Sequence, residues 1–309
     1  MATMQAVRIH SFGGPEVLQL EEVPRPEPLD NEVLISIRVA SVNPIDYKIR
    51  AGGYARPEAL PLVLGRDIAG EVATLGAKVR DFKKGDAVFA LLPRDRGGYA
   101  EYVALKTSDI VPMPDRVDFE HAGAVPLAAI TAWQGLFDQG GLKQGQRVLI
   151  HGAAGGVGHM AVQLAKSVDA KVIVTASAAD AAFLREIGAD VVIDYKLQRF
   201  ENEVRDVDLV LDLIGGETQE RSWAVLKRGG TLVSTLGQPA EEKARTYGVT
   251  AKGYMAQVNA DELNRIAILI DEGRVSPRVQ RRYALRDVAE AHRHLEHEHS
   301  RGKTVLTIG

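Results

Sequence analysis

The chain of 309 residues contains no cysteine, which excludes disulfides, thiol nucleophiles and every metal site with a cysteine ligand. Its formal net charge of −3 gives no electrostatic reason to expect nucleic acid or an anionic membrane as a partner. It has no apolar run of transmembrane length, and the residues from Met1 to Gln5 do not open a signal peptide. We therefore expect a cytoplasmic protein without nucleic-acid or membrane partners.

The composition is that of an ordinary globular protein, with 45% hydrophobic and 26% charged residues. The length exceeds the usual size of one domain, so two domains are expected. In the first part, apolar residues alternate from Val33 to Val39 with a mixed outer face, as in a half-buried strand. Residues 87–91 and 99–104 are further predicted strands. This part is therefore predicted to be a β-rich domain.

From about Glu120 onward, predicted strands alternate with predicted helices. The strands are 147–151, 171–175, 191–193, 208–213 and 231–235, and the helices include 122–137, 178–187, 218–226 and 261–272. This alternation indicates a parallel sheet with helices on both faces. The final helix 287–299 and strand 304–308 are too little for a domain, so we expect them to return to the first one. The predicted domains are 1–122 with 273–309, and 123–272.

A glycine-rich turn follows the strand 147–151 and leads into an amphipathic helix. A helix entered through glycines leaves N–H groups unpaired and the positive end of its dipole exposed, where a pyrophosphate can bind. In the dinucleotide spacing Gly-x-Gly-x-x-Gly, Ala153 holds the first position, Gly155 permits close approach of phosphate, and Gly158 permits close helix packing. We predict nucleotide binding rather than a purely structural turn, through the backbone of Gly152, Ala154, Gly155, Gly156 and Val157.

The segment Gly65-Arg66-Asp67-Ile68-Ala69-Gly70 resembles the Gly-His-Glu-x-x-Gly signature of zinc alcohol dehydrogenases. Arg66 replaces the ligand histidine, and Ser41 stands where those enzymes carry a ligand cysteine. Together with the motifs 43–48, 98–102, 153–158 and 301–303, these residues make the chain similar to the zinc-independent branch of the medium-chain dehydrogenase/reductase superfamily, the quinone oxidoreductases and enone reductases. The resemblance implies an α/β protein with a Rossmann doubly wound parallel sheet and a GroES-like β-rich catalytic domain.

Without a zinc ion to act as Lewis acid, a simple ketone or alcohol would lack electrophilic assistance. An α,β-unsaturated carbonyl or a quinone needs less help, because hydride addition leaves an oxygen-delocalised anion that a hydrogen bond can stabilise. The resemblance thus implies an NADPH-dependent reductase of quinones or α,β-unsaturated carbonyls without a metal. No residue stands out as proton donor, and the natural acceptor stays open. The alternatives are an enoyl-thioester reductase on the same fold and a non-catalytic NADPH-binding protein.

The resemblance also implies roles for individual residues. Asn43 and Tyr54 would hydrogen-bond the acceptor oxygen, and Lys48 would bind the nicotinamide or its ribose. The alternative is that Asn43 and Asp46 cap a helix and that Lys48 is a solvated charge. Further cofactor contacts are implied for Thr131, Leu213, Leu236, Gly237 and Lys303. Their alternatives are a helix interior for Thr131, a tight turn for 236–237 and a surface charge for Lys303.

The choice of cofactor depends on the end of the second strand of the nucleotide domain. An acidic residue there would hold the ribose hydroxyls of NAD and repel a 2′-phosphate, but the segment 175–179 has no carboxylate, and the first one after it is Asp180. Ser177 and Tyr195 match positions that contact the 2′-phosphate in relatives. We therefore favour NADPH over NADH, although the lysine or arginine common at this place is missing.

Two further expectations concern the histidines and the assembly. His292, His294, His297 and His299 are predicted on a solvated helix rather than in a metal site, because the His-Glu-x-x-His spacing is absent. His151, at the mouth of the glycine turn, is predicted to be structural. By resemblance we expect a homodimer in which the strand around 248–257 extends the sheet across subunits.

Overall fold

A computed structural model of the chain describes residues 2–309. The strands are β1 (Thr3–Ile9), β2 (Gln19–Pro24), β3 (Glu32–Val42), β4 (Leu62–Val63), β5 (Asp67–Leu75), β6 (Ala87–Leu91), β7 (Tyr102–Lys106), β8 (Val111–Pro112), β9 (Arg147–His151), β10 (Lys171–Ala176), β11 (Val191–Asp194), β12 (Val207–Asp212), β13 (Leu226–Ser234), β14 (Thr250–Gly253), β15 (Val279–Ala284) and β16 (Lys303–Thr307).

The helices are α1 (Pro44–Arg50), α2 (Phe119–Gly123), α3 (Pro126–Trp133), α4 (Gly156–Ser167), α5 (Ala181–Glu186), α6 (Phe200–Glu203), α7 (Gly216–Ser222), α8 (Glu241–Tyr247), α9 (Ala260–Asp271) and α10 (Val288–His297). The residues form two compact units: unit 1 contains 1–127, 258–271 and 277–309, and unit 2 contains 128–257 and 272–276. Within the described part of the chain, no helix is long and apolar enough to cross a membrane.

Unit 1 is built on a seven-stranded sheet in which β15, β16, β3, β5, β6 and β8 are neighbours and β7 also pairs with β3. A second sheet has the order β2, β1, β4. The long strand β3 pairs antiparallel with β16, β5 and β7. The strands predicted at 87–91 and 99–104 appear as β6 and, shifted toward the C-terminus, as β7. Helix α9, which the predicted boundary at 272 assigns to the second domain, packs on β6 and β8 and belongs to unit 1.

The predicted alternation along β3 is interrupted in the structure. Val33, Ile35 and Ile37 face one core, whereas Val39 packs in a separate cluster with Ala124 of the loop after α2. The register between β3 and β5 shifts between Ile37 and Val39, which is the signature of a β-bulge. The extra residue turns Val39 to the other face, so both faces of β3 are buried along much of its length. The outer face is mixed as predicted, with Ser36 half-buried and Arg38 exposed, so only Val39 departs from the predicted alternation.

Unit 2 contains a six-stranded parallel sheet with the order β11, β10, β9, β12, β13, β14. This is the strand order of the Rossmann fold, and it reverses between β9 and β12, where open α/β sheets bind ligands at the carboxyl ends of their strands. The predicted α/β architecture with a parallel sheet is confirmed. The single helix predicted over 122–137 is instead α2, then α3 beginning at Pro126, and a π-helical stretch Gln134–Gln139.

Candidate cofactor and acceptor sites

The glycine turn joins β9 to α4. Gly152 has a φ of 72°, and its carbonyl accepts the N–H of Gly155 at 3.2 Å, which closes the turn. Helix α4 begins at Gly156, so the N–H groups of its first turn, including that of Val157, have no acceptor within the helix. Together with the helix dipole, such N–H groups can hold an anion at the carboxyl end of β9.

Two glycines of this turn differ in what a side chain would meet. A Cβ at Gly158 would lie 2.2 Å from the carbonyl oxygen of Gly152 and 2.6 Å from the Cα of Ala153, so this glycine is required by close packing. A Cβ at Gly155 would meet only the oxygen of Gly152, at 3.5 Å, and would otherwise point into open space. The turn therefore keeps room beside the helix start that fits the pyrophosphate of a dinucleotide.

The loops after β12 and β13 are held by Asp212, a buried carboxylate that the sequence reading missed as a functional residue. Its Oδ1 accepts the N–H groups of Ile214 and Gly215 at 3.0 and 2.8 Å. Its Oδ2 accepts the hydroxyl of Ser234 at 3.0 Å, and the Ser234 oxygen accepts the N–H of Leu236 at 3.1 Å. Asp212 thereby fixes the loops that carry the predicted contacts Leu213, Leu236 and Gly237. The signal in the sequence that could have identified Asp212 is a carboxylate at the end of an apolar strand.

Ser177 and Tyr195 follow the ends of the neighbouring strands β10 and β11, which places them on the same edge of the sheet. The Ser177 hydroxyl donates to Asp180 Oδ2 at 2.7 Å, and Asp180 is buried. The side chain of Tyr195 is exposed. A 2′-phosphate at this edge would therefore meet two neutral side chains and a nearby carboxylate.

Thr131 is buried in α3, and its carbonyl oxygen accepts the hydroxyl of Tyr254 at 2.5 Å. His151 is also buried, with Nδ1 2.8 Å from the hydroxyl of Thr175 and Nε2 3.0 Å from that of Ser222. Burial lowers the pKa of His151 to about 4, so the ring is neutral at pH 7. This bridge between two hydroxyls is the structural role predicted for His151.

In unit 1, Asn43 follows β3 and precedes α1. Its backbone N–H donates to Asp46 Oδ2 at 2.8 Å, as expected for a helix start. Its side chain is engaged elsewhere: Nδ2 donates to Asp67 Oδ2 at 2.8 Å, and Oδ1 accepts from the ammonium group of Lys303. The amide is thus held in a buried network.

Lys303 is buried, so the alternative of a surface charge is wrong. Its Nζ lies 3.4 Å from the carbonyl oxygen of Val42 and 3.6 Å from Asp67 Oδ2, in addition to its bond to Asn43. Burial lowers the pKa of Lys303, and the carboxylates of Asp67 and Asp46 oppose that shift. The register of the sheet explains this placement, because β16 pairs directly with the end of β3.

The positions that correspond to the zinc-ligand signature do not fit a metal ion. Ser41 donates its hydroxyl to Asp67 Oδ2, and Arg66 donates to the carbonyl of Leu92 at 3.0 and 2.6 Å. A guanidinium offers no ligand atom, and the Lys303 ammonium beside Asp67 would repel a cation. Within residues 2–309, no group of three or more histidine, aspartate or glutamate side chains is arranged to hold a metal ion.

Tyr54 lies in the loop after α1, and Lys48 lies in α1 itself. Tyr54 is 64% exposed and has a φ of 65°, a left-handed conformation that is rare for a bulky residue and occurs most often at turns and functional sites. Lys48 is half-buried on α1, and its carbonyl oxygen accepts the N–H of Gly53 at 2.8 Å. The structure gives no hydrogen bond that joins either side chain to Asn43.

The sequence reading missed a buried polar chain that involves His292. This residue was predicted on a solvated face, but it is fully buried, because α10 turns it toward Tyr99 in the core. Nδ1 of His292 lies 3.0 Å from Arg50, which can only donate, so Nε2 carries the proton and donates to the Tyr99 oxygen at 3.1 Å. Tyr99 donates to Asp46 Oδ2 at 3.0 Å. Burial lowers the pKa of His292 to about 3 and raises that of Asp46 to about 7.

Comparison with known families agrees with this architecture. Residues 29–115 match the alcohol dehydrogenase GroES-like domain, and residues 187–306 match the zinc-binding dehydrogenase family. The chain is 32% identical to the quinone oxidoreductase of Mus musculus, over 99% of this chain and 98% of the relative. It is 35% identical to the chloroplastic NADPH-dependent alkenal/one oxidoreductase of Arabidopsis thaliana, over 98% of this chain and 79% of the relative.

Among solved structures, the Escherichia coli quinone oxidoreductase complexed with NADPH superposes with a TM-score of 0.89 at 30% identity, covering 98% of this chain and 99% of that one. The strand order of unit 2, the GroES-like match in unit 1 and the full-length similarity to quinone oxidoreductases lead to one conclusion. The chain belongs to the medium-chain dehydrogenase/reductase superfamily of oxidoreductases.

Proposed function

We propose that this chain is an NADPH-dependent reductase of quinones or α,β-unsaturated carbonyls that works without a metal ion. The proposal rests on the hydrogen bonds made by the three residues at the positions of the zinc signature. Ser41, Arg66 and Asp67 are all engaged in hydrogen bonds within unit 1. Since this donor set cannot hold a Lewis acid, the acceptor must already be electrophilic, as a quinone or an enone is.

The dinucleotide is proposed to bind unit 2 through the glycine turn. The backbone of Gly152 and of residues 154–157 would hold the pyrophosphate, and Thr131, Leu213, Leu236 and Gly237 would line the remaining contacts. When bound, the reduced nicotinamide supplies the hydride. The names of the relatives support this cofactor class, because one of them is NADPH-dependent and another has been solved with NADPH.

The acceptor is proposed to bind at the Asn43 end of unit 1. The Nδ2 of Asn43 carries two hydrogens. Asp67 accepts at 2.8 Å, whereas the two Ser41 oxygens lie 3.4 and 3.5 Å away, long contacts that an acceptor oxygen would replace. Negative charge develops on that oxygen as hydride reaches carbon, so a fixed donor lowers the barrier. Tyr54 and Lys48 are proposed as further contacts to acceptor and cofactor. The proton that completes the reaction is proposed to come from solvent.

The proposal is tested by following NADPH oxidation with a 1,4-quinone, an alkenal and a crotonyl thioester, before and after dialysis against EDTA. We expect turnover with the quinone or the alkenal, unchanged by EDTA. Activity with the thioester alone would favour the enoyl-thioester reductase. Tight NADPH binding without turnover on any acceptor would indicate the non-catalytic protein, and activity that EDTA removes and zinc restores would contradict the proposal.

We also propose a homodimer, because β14 lies at the end of the strand order of unit 2. Pairing of this edge strand with its copy would continue the sheet across two subunits and satisfy its outer backbone groups. The molar mass in solution from light scattering should be twice the chain mass of 33.5 kDa. A monomeric mass at micromolar concentration would reject the dimer and leave the proposed chemistry untouched.

A further inference from the structure

We infer that Lys303 and Asp67 are positioning residues that orient and polarise the amide of Asn43, so that its remaining N–H is presented to the acceptor oxygen. This inference rests on the proposed function. It gives Lys303 a different role from the direct cofactor contact implied by the resemblance, because the residue would act through Asn43.

The register of three neighbouring strands brings these side chains together. In the pairing of β16 with β3, Thr304 lies opposite Val42, so Lys303 lies beside Asn43. In the pairing of β3 with β5, Ser41 lies opposite Asp67, which places the carboxylate on the other side of β3. All of these polar side chains are buried, so each hydrogen bond forms in a low-dielectric environment, where its geometry is strongly enforced.

The chemistry of the partners fixes the orientation of the amide. An ammonium group can only donate, and an ionised carboxylate can only accept. The carbonyl oxygen of Asn43 must therefore face Lys303, and its NH2 group must face Asp67, as observed. The flipped amide would place an oxygen against a carboxylate and an NH2 group against an ammonium. The pair thus selects one of two otherwise similar orientations.

Lys303 and Asp67 are themselves held in place by contacts within unit 1. The ammonium of Lys303 donates to Asn43 Oδ1 and, at 3.4 Å, to Val42 O, and it forms an ion pair with Asp67 Oδ2 at 3.6 Å. Asp67 Oδ1 accepts the N–H of Leu127 at 2.5 Å, and Oδ2 accepts from Ser41 and Asn43. Lys303 is therefore held within unit 1 by two hydrogen bonds and an ion pair, and Asp67 is anchored by a main-chain bond.

A cation on the carbonyl oxygen of an amide withdraws electron density from its nitrogen. The N–H then becomes a stronger donor, as in other charge-assisted hydrogen bonds. This effect grows as the acceptor oxygen gains charge in the transition state, so it acts on kcat more than on KM. Removing an oxyanion donor costs about 100- to 1,000-fold in kcat. Removing only its polarisation should cost less, on the order of 10-fold.

The test is a double-mutant cycle of Asn43→Ala and Lys303→Met, with Lys303→Gln as a neutral variant that can still donate to Asn43 and stay folded. We expect Lys303→Gln to lower kcat about 10-fold with a Kd for NADPH within about 2-fold of wild type. In Asn43→Ala, the further change at 303 should have no additional effect, because its action passes through the missing amide. The NMR signals of the Asn43 side-chain NH2 should move upfield in Lys303→Gln.

Additive losses in the cycle would overturn the positioning role while leaving the proposed function in place. A large rise in the Kd for NADPH with unchanged kcat would make Lys303 a direct cofactor residue instead. If Lys303→Met does not fold, the same cycle is run with Lys303→Gln, and additivity there has the same meaning. A wild-type protein that reduces no quinone or enone would overturn the proposed function and this inference together.

Discussion

The two units differ in the chemical groups that form their candidate sites. In unit 2, the proposed anion site consists of main-chain N–H groups at a helix start, and the buried ring of His151 at the end of β9 is neutral. In unit 1, the amide of Asn43 lies between the buried charges of Asp67 on β5 and Lys303 on β16. A main-chain site depends on backbone geometry and tolerates few side chains, whereas a side-chain site depends on matching each charge with a partner.

The largest expected effect concerns two glycines of unit 2, Gly158, which close packing requires, and Gly155, which leaves room for a ligand. Gly158→Ala would press a Cβ against the backbone of Gly152 and Ala153, so we expect a loss of about 3 kcal/mol in the free energy of unfolding. Gly155→Ala has an allowed φ of −71° and no close contact, so stability should change by less than about 1 kcal/mol. It should still weaken NADPH binding about 10-fold, because the methyl group enters the phosphate space.

Denaturant unfolding and titration with NADPH measure the two effects separately. Equal losses of stability in the two variants would show that the turn is purely structural. Unchanged NADPH binding in Gly155→Ala would contradict the assignment of the phosphate site.

The second prediction compares how the units respond to acid. The pKa values of His151 and His292 are lowered from 6.5 to about 4 and about 3, so the unfolded chain binds more protons below pH 6.5. Stability is therefore lost as the pH falls through that window, by about 2 kcal/mol for each histidine from pH 7 to 5. The pKa of Asp46 is raised from 3.8 to about 7, so protonation of the folded state returns about 2 kcal/mol over the same range.

His292 and Asp46 both belong to unit 1, where the two contributions nearly cancel, whereas His151 belongs to unit 2. Hydrogen exchange at pH 7, 6 and 5 should show that protection decreases more in β9 and β10 than in β3 and β5. His151→Gln should reduce the acid sensitivity of unit 2. Equal acid sensitivity of both units in the wild type would contradict this account.

A smaller effect concerns the 2′-phosphate edge of unit 2. Asp180→Asn removes a negative charge beside Ser177 and can still accept its hydroxyl, so the ratio of kcat/KM for NADPH over NADH should rise about 5- to 10-fold. We expect the wild type to prefer NADPH already. Glu186→Gln, an exposed change at the end of α5, is the matched control. A clear preference of the wild type for NADH would refute the cofactor choice.

The smallest effect is expected at Tyr54, since its exposed hydroxyl competes with water. Tyr54→Phe should lower kcat/KM for the acceptor about 3- to 10-fold without changing the Kd for NADPH. Tyr47→Phe, a half-buried tyrosine of α1 with no assigned role, serves as the control. Unchanged turnover in Tyr54→Phe would remove this residue from the acceptor site.

Unit 2 was largely predictable from the sequence because its signals are local. The strand β9, the glycine turn and α4 follow one another within about twenty residues, and each is marked by apolar periodicity or by glycine. The boundaries that moved have local causes as well. Pro126 begins a new helix within the predicted helix 122–137, and β13 starts at Leu226 rather than at Thr231.

The polar networks of unit 1 could not be predicted in the same way. Lys303 and Asn43 are 260 positions apart, and Arg50 and His292 are 242 positions apart, so no spacing rule joins them. A lysine in Arg-Gly-Lys and a histidine among charged residues both look solvated until the sheet register and the rotation of α10 are known. The bulge in β3 could not be predicted either, because one extra residue in a strand is not visible in the composition.

The strand β16 comes from the last residues of the chain, while its partner β3 comes from the first fifty. During synthesis on the ribosome, the nucleotide-binding sheet is complete long before Lys303 leaves the exit tunnel. A polypeptide that stops before Lys303 would contain the whole glycine turn of unit 2, but Asn43 of unit 1 would have no ammonium group to orient it. Translation must therefore pass β16 before the buried network around Asn43 can form.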